Sequence, residues 1–274
     1  MTGTGTSSRH PALRLGQTRQ ALTRALAEEV PVALTYDGST QAIMMCSPAD
    51  LEDFAVGFSL TEGVVTDPAQ ITELTVERHA RGIELRMWLT PDRASAMTRR
   101  RRAMAGPVGC GLCGIDSLEE ATRSLPVITA HPDLPLALIT SATDALRALQ
   151  PLHDDTQAVH AAAFLTRAGL SHAREDVGRH NALDKVIGAL ARDGLNPAMG
   201  AFVLTSRISI ELVQKCALAG AGLLIAVSAP TARAVATAEA AGITLAALAR
   251  DGAVTVFTHA GRLDPAPQGA DHVA

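Results

Sequence analysis

The chain has 274 residues, of which 47% are hydrophobic and 19% charged, and its formal net charge is −4 at pH 7. That length can bury a sizeable core in one or two domains, and that charge argues against generic nucleic-acid binding. No run reaches the roughly 20 apolar residues of a membrane span, and MTGTGTSSRH lacks the apolar stretch of a signal peptide. Four cysteines in this length make no disulfide scaffold. A cytoplasmic protein with free thiols is expected, with no membrane or nucleic-acid partner.

Residues 1–25 are polar, rich in Thr, Ser and Arg, and are expected to form a loosely ordered, flexible segment. Residues 26–125 read as a smaller α+β portion ending in a cysteine loop. Within it, Pro31 to Tyr36 and Gln41 to Met45 are β-prone runs around Asp37-Gly38, a hairpin signal. Ser47-Pro48-Ala49-Asp50 predicts a helix start with Ser47 as N-cap and Pro48 at the first helical position. That helix runs through Phe54 and Phe58 to Gly63. Ile71 to Arg78 and Gly82 to Leu89 predict a second strand pair, residues 92–102 a helix, and Ser117 to Arg123 another short one.

Residues 126–263 read as an α/β core. Pro126 to Thr140 is a connector, and Ser141 opens a helix through Leu149. From there strand and helix alternate: strand His160 to Leu165, helix Arg179 to Arg192, strand Ala201 to Thr205, helix Ile210 to Ala219. Strand Gly222 to Ser228, helix Thr231 to Ala241, and strands Ile243 to Leu248 and Val254 to Thr258 complete the pattern. Such alternation predicts a layered α/β sheet. Residues 264–274, with two prolines and a glycine, are expected to be a frayed tail.

The chemistry concentrates in Gly109-Cys110-Gly111-Leu112-Cys113-Gly114, which follows four arginines, Arg99 to Arg102. Nearby positive charge lowers a thiol pKa and favours the nucleophilic thiolate, while flanking glycines let the backbone bend. Half of a zinc site, a redox disulfide and two inert thiols are the alternatives. A zinc deaminase needs H-x-E before P-C-x-x-C, and the chain has no H-x-E: His79, His153, His160 and His172 are followed two residues on by Arg81, Asp155, Ala162 and Arg174. A structural zinc would need two further ligands, for which His160 and His180 are the candidates. A thioredoxin-type pair normally opens a helix after a strand; this one lies between glycines. Cys46 and Cys216 sit in apolar contexts and are expected to be packed thiols.

Ligands of layered α/β sheets bind at the C-terminal ends of strands. Three such ends are followed by Ser206 to Glu211, by Ser228 to Thr231, and by Arg250-Asp251-Gly252. Helix N-termini there suit phosphate, and Arg207 or Arg250 could add bidentate contacts; ordinary capping by Ser209 and Thr231 is the plainer alternative. The most polar patch, Arg174 to Asn181 with Asp184 and Lys185, places Asp184 four residues after His180, where it could orient the imidazole. The alternative is a charged turn with Asn181 or Asp176 capping the helix.

With GCGLCG at 109–114, HAAAF at 160–164, EDVGRHNALDK at 175–185, TSRISIELVQK at 205–215, SAPTARAVA at 228–236 and TVFTH at 255–259, the chain resembles the FdhD family of formate dehydrogenase accessory sulfurtransferases over roughly residues 30–263. The resemblance implies a layered α/β/α, cytidine-deaminase-like core without the zinc chemistry, and a homodimer. It implies a sulfur carrier that takes sulfur from a cysteine desulfurase and delivers it to the molybdenum cofactor of formate dehydrogenase, in its bis(molybdopterin guanine dinucleotide) form, with no tightly bound zinc. Cys110 would carry the persulfide, with Cys113 as second thiol. The cofactor-binding segment would be Leu248-Ala249-Arg250-Asp251-Gly252-Ala253; Leu248 and Ala253 depart from the aromatic and basic residues the family often has there. His180, Arg207, Ser228 and Thr231 are the further cofactor-binding candidates. A chaperone that holds the cofactor without sulfur chemistry is the rival reading, and a metal-binding structural protein the third.

Overall fold

The structure, a computed structural model, describes residues 5–95 and 124–263. The chain opens with two strands, β1 (Ser7–Leu15) and β2 (Arg19–Ala27), paired antiparallel along their whole length as a separate ribbon. The expectation of a loosely ordered start is thereby corrected for residues 7–27. A hairpin pairs its inward-facing backbone groups and leaves the outward-facing ones to water, so polar side chains do not prevent it. Its base is secured to the body by Ser7 Oγ donating to Asp155 (2.9 Å) and by Arg24 donating to Gln157 (3.4 Å).

β3 (Val30–Tyr36) and β4 (Ser39–Cys46) form the expected hairpin. Its two turn residues, Asp37 and Gly38, both have positive φ (49° and 75°), as a two-residue hairpin turn requires. Helix α1 (Leu51–Thr61) follows, then strands β5 (Ile71–His79) and β6 (Gly82–Leu89), giving a four-stranded sheet in the order β4-β3-β6-β5. Residues 91–95 are helical; the rest of the helix predicted for 92–102, the one predicted at 117–123, and the tail from 264 lie outside the described residues.

The helix start predicted at Ser47 is displaced to Leu51, behind Asp50 at φ 52°. Ser47 is used elsewhere: its hydroxyl accepts the Val177 N–H (3.1 Å) and its own N–H donates to Asp176 (3.0 Å). A buried tertiary partner has outcompeted the local cap.

Helix α2 (Leu136–Arg147) begins five residues before the predicted Ser141, because Ile139 belongs with Ala142 and Leu146 on the buried face. The short α3 (Pro151–Thr156) was not anticipated. Then come β7 (His160–Thr166), β8 (Gly169–Asp176), α4 (Arg179–Arg192), β9 (Ala201–Leu204), α5 (Ile210–Ala219), β10 (Leu223–Ala226), α6 (Ala232–Ala241), β11 (Thr244–Arg250) and β12 (Ala253–Val256). They build a six-stranded mixed sheet in the order β12-β11-β10-β9-β7-β8.

The protein is α/β, with helices on both faces of this sheet. Ile139, Ala142 and Leu146 of α2 pack with Ala161, Val203, Ile225 and Ala246 on one face. Leu183 of α4, Leu212 of α5 and Ala234 of α6 pack with Phe164, Phe202, Leu224 and Leu245 on the other. Cys216 lies within this second cluster, and burial pushes its thiol up. Cys46 is buried under the smaller sheet, where burial, reinforced by Asp176, does the same. Both are packed, inert thiols.

Helices α1 and α4 join the two sheets. α1 turns Phe54 and Phe58 toward Val32, Leu34, Leu85 and Met87 of the smaller sheet. Against α4 the backbones themselves meet at Gly57 and Gly188. A Cβ on Gly57 would lie 1.8 Å from Asp184 O, and one on Gly188 1.8 Å from Asp53 O. Asp53 on α1 then pairs with Arg174 of β8 (2.8 Å) and with Arg192 at the end of α4.

Candidate functional site

The densest motif, EDVGRHNALDK, divides into residues that hold the scaffold and residues left at the rim. Asp176 and Lys185 form a fully buried ion pair, Nζ to Oδ2 2.7 Å. Lys185 also donates to the carbonyls of Ser47 (3.1 Å) and Glu175 (3.3 Å). Asp176 accepts from the backbone N–H of Gly178 (2.8 Å) and from Asn181 Nδ2 (2.9 Å), and Asn181 reaches on to Met45 O (2.8 Å). Glu175 accepts both the Leu152 and His153 N–H groups at the start of α3, each at 2.8 Å. The turn Val177-Gly178 is thus fixed from both sides.

A second buried network corrects the expected role of Asp184. It does not orient His180. It accepts from Thr61 Oγ1 (2.8 Å) and pairs with Lys215 at 2.9 Å, and Lys215 also pairs with Glu62 at 2.9 Å. Burial pushes Asp184 up to about 6; the Lys215 ammonium opposes that and Glu62 adds to it. Lys215, which burial alone would lower, is held above its ordinary value by Asp184 and Glu62, so the cation persists. Two sequence motifs therefore interlock through one ion pair. A lysine in the apolar run ALDKVIGAL, and another in IELVQKCALA, were the available signals for these networks.

His180 instead faces Ser209 Oγ (3.5 Å) and Glu211 (3.7 Å) at the start of α5. Burial, with Arg179 and Lys215 adding to it, pushes His180 down to about 4, so its imidazole is neutral at neutral pH. In the unfolded chain a histidine titrates near 6.5. The folded state binds this proton less readily, so the contribution of His180 to stability is complete above about pH 6.5 and is lost as pH falls toward 4. His180→Gln is therefore expected to show a shallower fall in urea midpoint between pH 6.5 and 4 than the unaltered chain. Parallel slopes would refute the assignment.

Strand β8 runs antiparallel to β7, and β7 antiparallel to β9, so β8 is parallel to β9, β10 and β11. Their C-terminal ends therefore share one sheet edge, and α4, α5 and α6 all begin there. The caps Gly178 and Ser209 make no side-chain cap bond, whereas Thr231 Oγ1 accepts the Ala234 N–H (3.2 Å). Thr231 is thus committed at least partly to capping, as the plainer reading had it. The loops after β9 and β10 are stitched together: Thr231 N–H donates to Ile208 O (3.0 Å) and Ile208 N–H to Ala229 O (3.3 Å). Arg207, Ser209, Ser228 and Thr231 therefore share one stretch of rim, with Arg207 exposed, and Arg179 and His180 adjoin it through Ser209. Arg179, missed in the sequence reading, is marked only by following Gly178 at the first helical position.

The segment Leu248 to Ala253 is the end of β11 and the turn into β12. Asp251 and Gly252 have positive φ (53° and 71°), Leu248 sits at φ 54° beside a register shift, and Arg250 is exposed. Ala249 is held down by Thr143 Oγ1, which donates to its carbonyl (3.0 Å). Arg250 thus reaches the same sheet edge from the far side of β10. Cys110, Cys113 and Arg99 to Arg102 lie outside the described residues.

The sequence matches the FdhD/NarQ family over residues 27–264. The chain belongs to that family. Among its relatives, "Sulfur carrier protein FdhD" of Agrobacterium fabrum (strain C58) is 50% identical over 242 residues, covering 88% of this chain and 89% of the relative. The protein of the same name from Bordetella petrii is 46% identical over 239 residues, covering 87% and 86%. The crystal structure of a proposed formate dehydrogenase accessory protein from Desulfotalea psychrophila superposes with a TM-score of 0.76. It covers 95% of this chain and all of the other at 24% identity, a likeness of fold. No described helix is long and apolar enough to cross a membrane.

Proposed function

We propose that this protein is a cytoplasmic sulfurtransferase that carries sulfur as a persulfide on Cys110 and delivers it to the molybdenum cofactor of formate dehydrogenase. The support is twofold: its relatives are sulfur carrier proteins, and one sheet edge gathers three helix N-termini with Arg179, Arg207 and Arg250. The bis(molybdopterin guanine dinucleotide) substrate is an elongated polyanion. First-turn N–H groups left without a side-chain cap at α4 and guanidinium groups spread along the edge suit its separated phosphates. Thr231, Ser228 and the neutral His180 supply hydrogen-bonding partners between them, and the turn Leu248 to Ala253 closes one end.

The sulfur chemistry belongs to the thiol pair. The Cys110 thiolate attacks the outer sulfur of a cysteine desulfurase persulfide; the donor thiolate leaves and Cys110 holds the sulfane sulfur. Release of that sulfur as sulfide takes two electrons. Attack by the Cys113 thiolate on the Cys110 sulfur supplies them and leaves a Cys110–Cys113 disulfide. The protein works as a homodimer.

Intact mass after incubation with a cysteine desulfurase and free cysteine tests this reading. A gain of about 32 Da that reductant removes is expected in the unaltered chain and in Cys113→Ala, and is expected to be absent in Cys110→Ala. No gain in any form would leave the cofactor-holding chaperone as the better account of the same sheet edge.

A further inference from the structure

Among the described residues, two surfaces lie exposed and complement each other. The first is the distal half of the β1–β2 ribbon. Residues 5–27 contain four arginines and no acid, and the register places Leu13, Leu15, Arg19 and Ala21 on one face. Leu13 is 49% and Leu15 71% exposed, at the end of the ribbon away from its anchored base. The second is the outward face of the four-stranded sheet. Its β4 side shows Ile43 (61% exposed) and Met45 (47%). Its β5–β6 side carries Glu73, Glu77 and Glu84; Glu77 and Glu84 pair with Arg86 and also lie 3.8 and 3.5 Å from His79, while Glu73 has no such pairing among the described residues.

Contiguous bare apolar surface marks interaction sites, and the charges decide the partner. The ribbon carries a charge of +4 on a chain whose net charge is −4, so the rest of each copy is strongly acidic. We infer that two copies exchange ribbons, each ribbon lying on the other's four-stranded sheet, with Leu13 and Leu15 over Ile43 and Met45 and Arg19, on the same ribbon face, toward the carboxylates. A nine-residue strand reaches about 30 Å, while four strands are about 15 Å across, so the ribbon can cross the sheet. This inference specifies the homodimer included in the proposed function.

Light scattering on the eluting full-length protein tests it. The unaltered chain is expected at twice its 28.5 kDa mass. Leu13→Asp/Leu15→Asp, and separately Ile43→Asp, are expected at the single-chain mass with unchanged circular dichroism. Mixing the ribbon variant with the sheet variant restores one of the two contacts, so the mixture is expected to regain a dimer fraction that neither has alone. A monomeric unaltered chain would overturn both the homodimer and this contact. Variants that remain dimeric would overturn the contact and leave the homodimer standing. Monomeric variants that do not complement each other would also overturn the contact.

Discussion

Lys185→Ala is expected to destabilise the protein by about 3–5 kcal/mol, the range for removing one partner of a buried ion pair. The ammonium group makes three contacts, with the Asp176 carboxylate at 2.7 Å and with the carbonyls of Ser47 and Glu175. Truncation leaves a buried carboxylate without a counter-charge and removes one donor from each of two carbonyls, although Ser47 O still accepts the Ala49 N–H. Asp176 keeps its bonds from Ser47 N–H, Gly178 N–H and Asn181, which is why the loss stays below the full desolvation cost of a charge. The same contacts fix the turn that presents Arg179 and His180, so the sheet edge should loosen along with the core. Urea unfolding measures the effect. Asp176→Asn in the Lys185→Ala background should recover part of the loss, because the neutral amide no longer needs a counter-charge. A loss under about 1 kcal/mol would mean that the pair is replaceable.

Gly188→Ala should cost about 3 kcal/mol or more, at or beyond the upper end of ordinary overpacking. The sign is informative. Alanine is favoured over glycine in a helix interior by about 1 kcal/mol, so without a packing conflict the variant would be more stable. Here the new methyl would lie 1.8 Å from Asp53 O and 2.7 Å from Gly57 N. Both obstacles are backbone, and backbone yields only if α1 moves as a body. That movement would also strain the pairs from Asp53 to Arg174 and Arg192. Gly16→Ala serves as control, since nothing lies within 4 Å of its added methyl and its φ is not positive. Thermal unfolding of the two variants should differ by about 5 °C if about 3 kcal/mol separates them; equal melting temperatures would show that the added methyl is accommodated.

Much of the second half was legible because its signals are local. Helices α4 and α5 start and stop where the sequence places them, since Gly178 and Gly220 bracket periodic apolar runs. The hairpin at Asp37-Gly38 likewise announces itself, because few residues besides glycine and aspartate tolerate positive φ. The ribbon at residues 7–27 was missed for a related reason. It buries almost nothing, so its strands lack the apolar alternation that identifies a strand in a core. In the candidate site, the sequence singled out Arg207, Ser228, Thr231 and Arg250, and the parallel run of β8 to β11 brings their loops to one edge.

Roles within the charged motif were not legible. Asp184 and His180 share a helical spacing, but α4 packs between α1 and α5, and Asp184 turns inward to Thr61 and Lys215, while His180 turns to Ser209 and Glu211. Helical periodicity states which residues lie on one side, not which neighbour waits there. Likewise Ser47 has the composition of an N-cap, yet a buried carboxylate 129 positions away claims its N–H. The sequence by itself determined the family, the thiol pair and the order of strands and helices from β9 onward, because these depend on residue identity and short-range spacing. The tertiary structure alone decided which charges became scaffold and which remained at the rim, because burial makes an unpaired charge far more costly than any local preference.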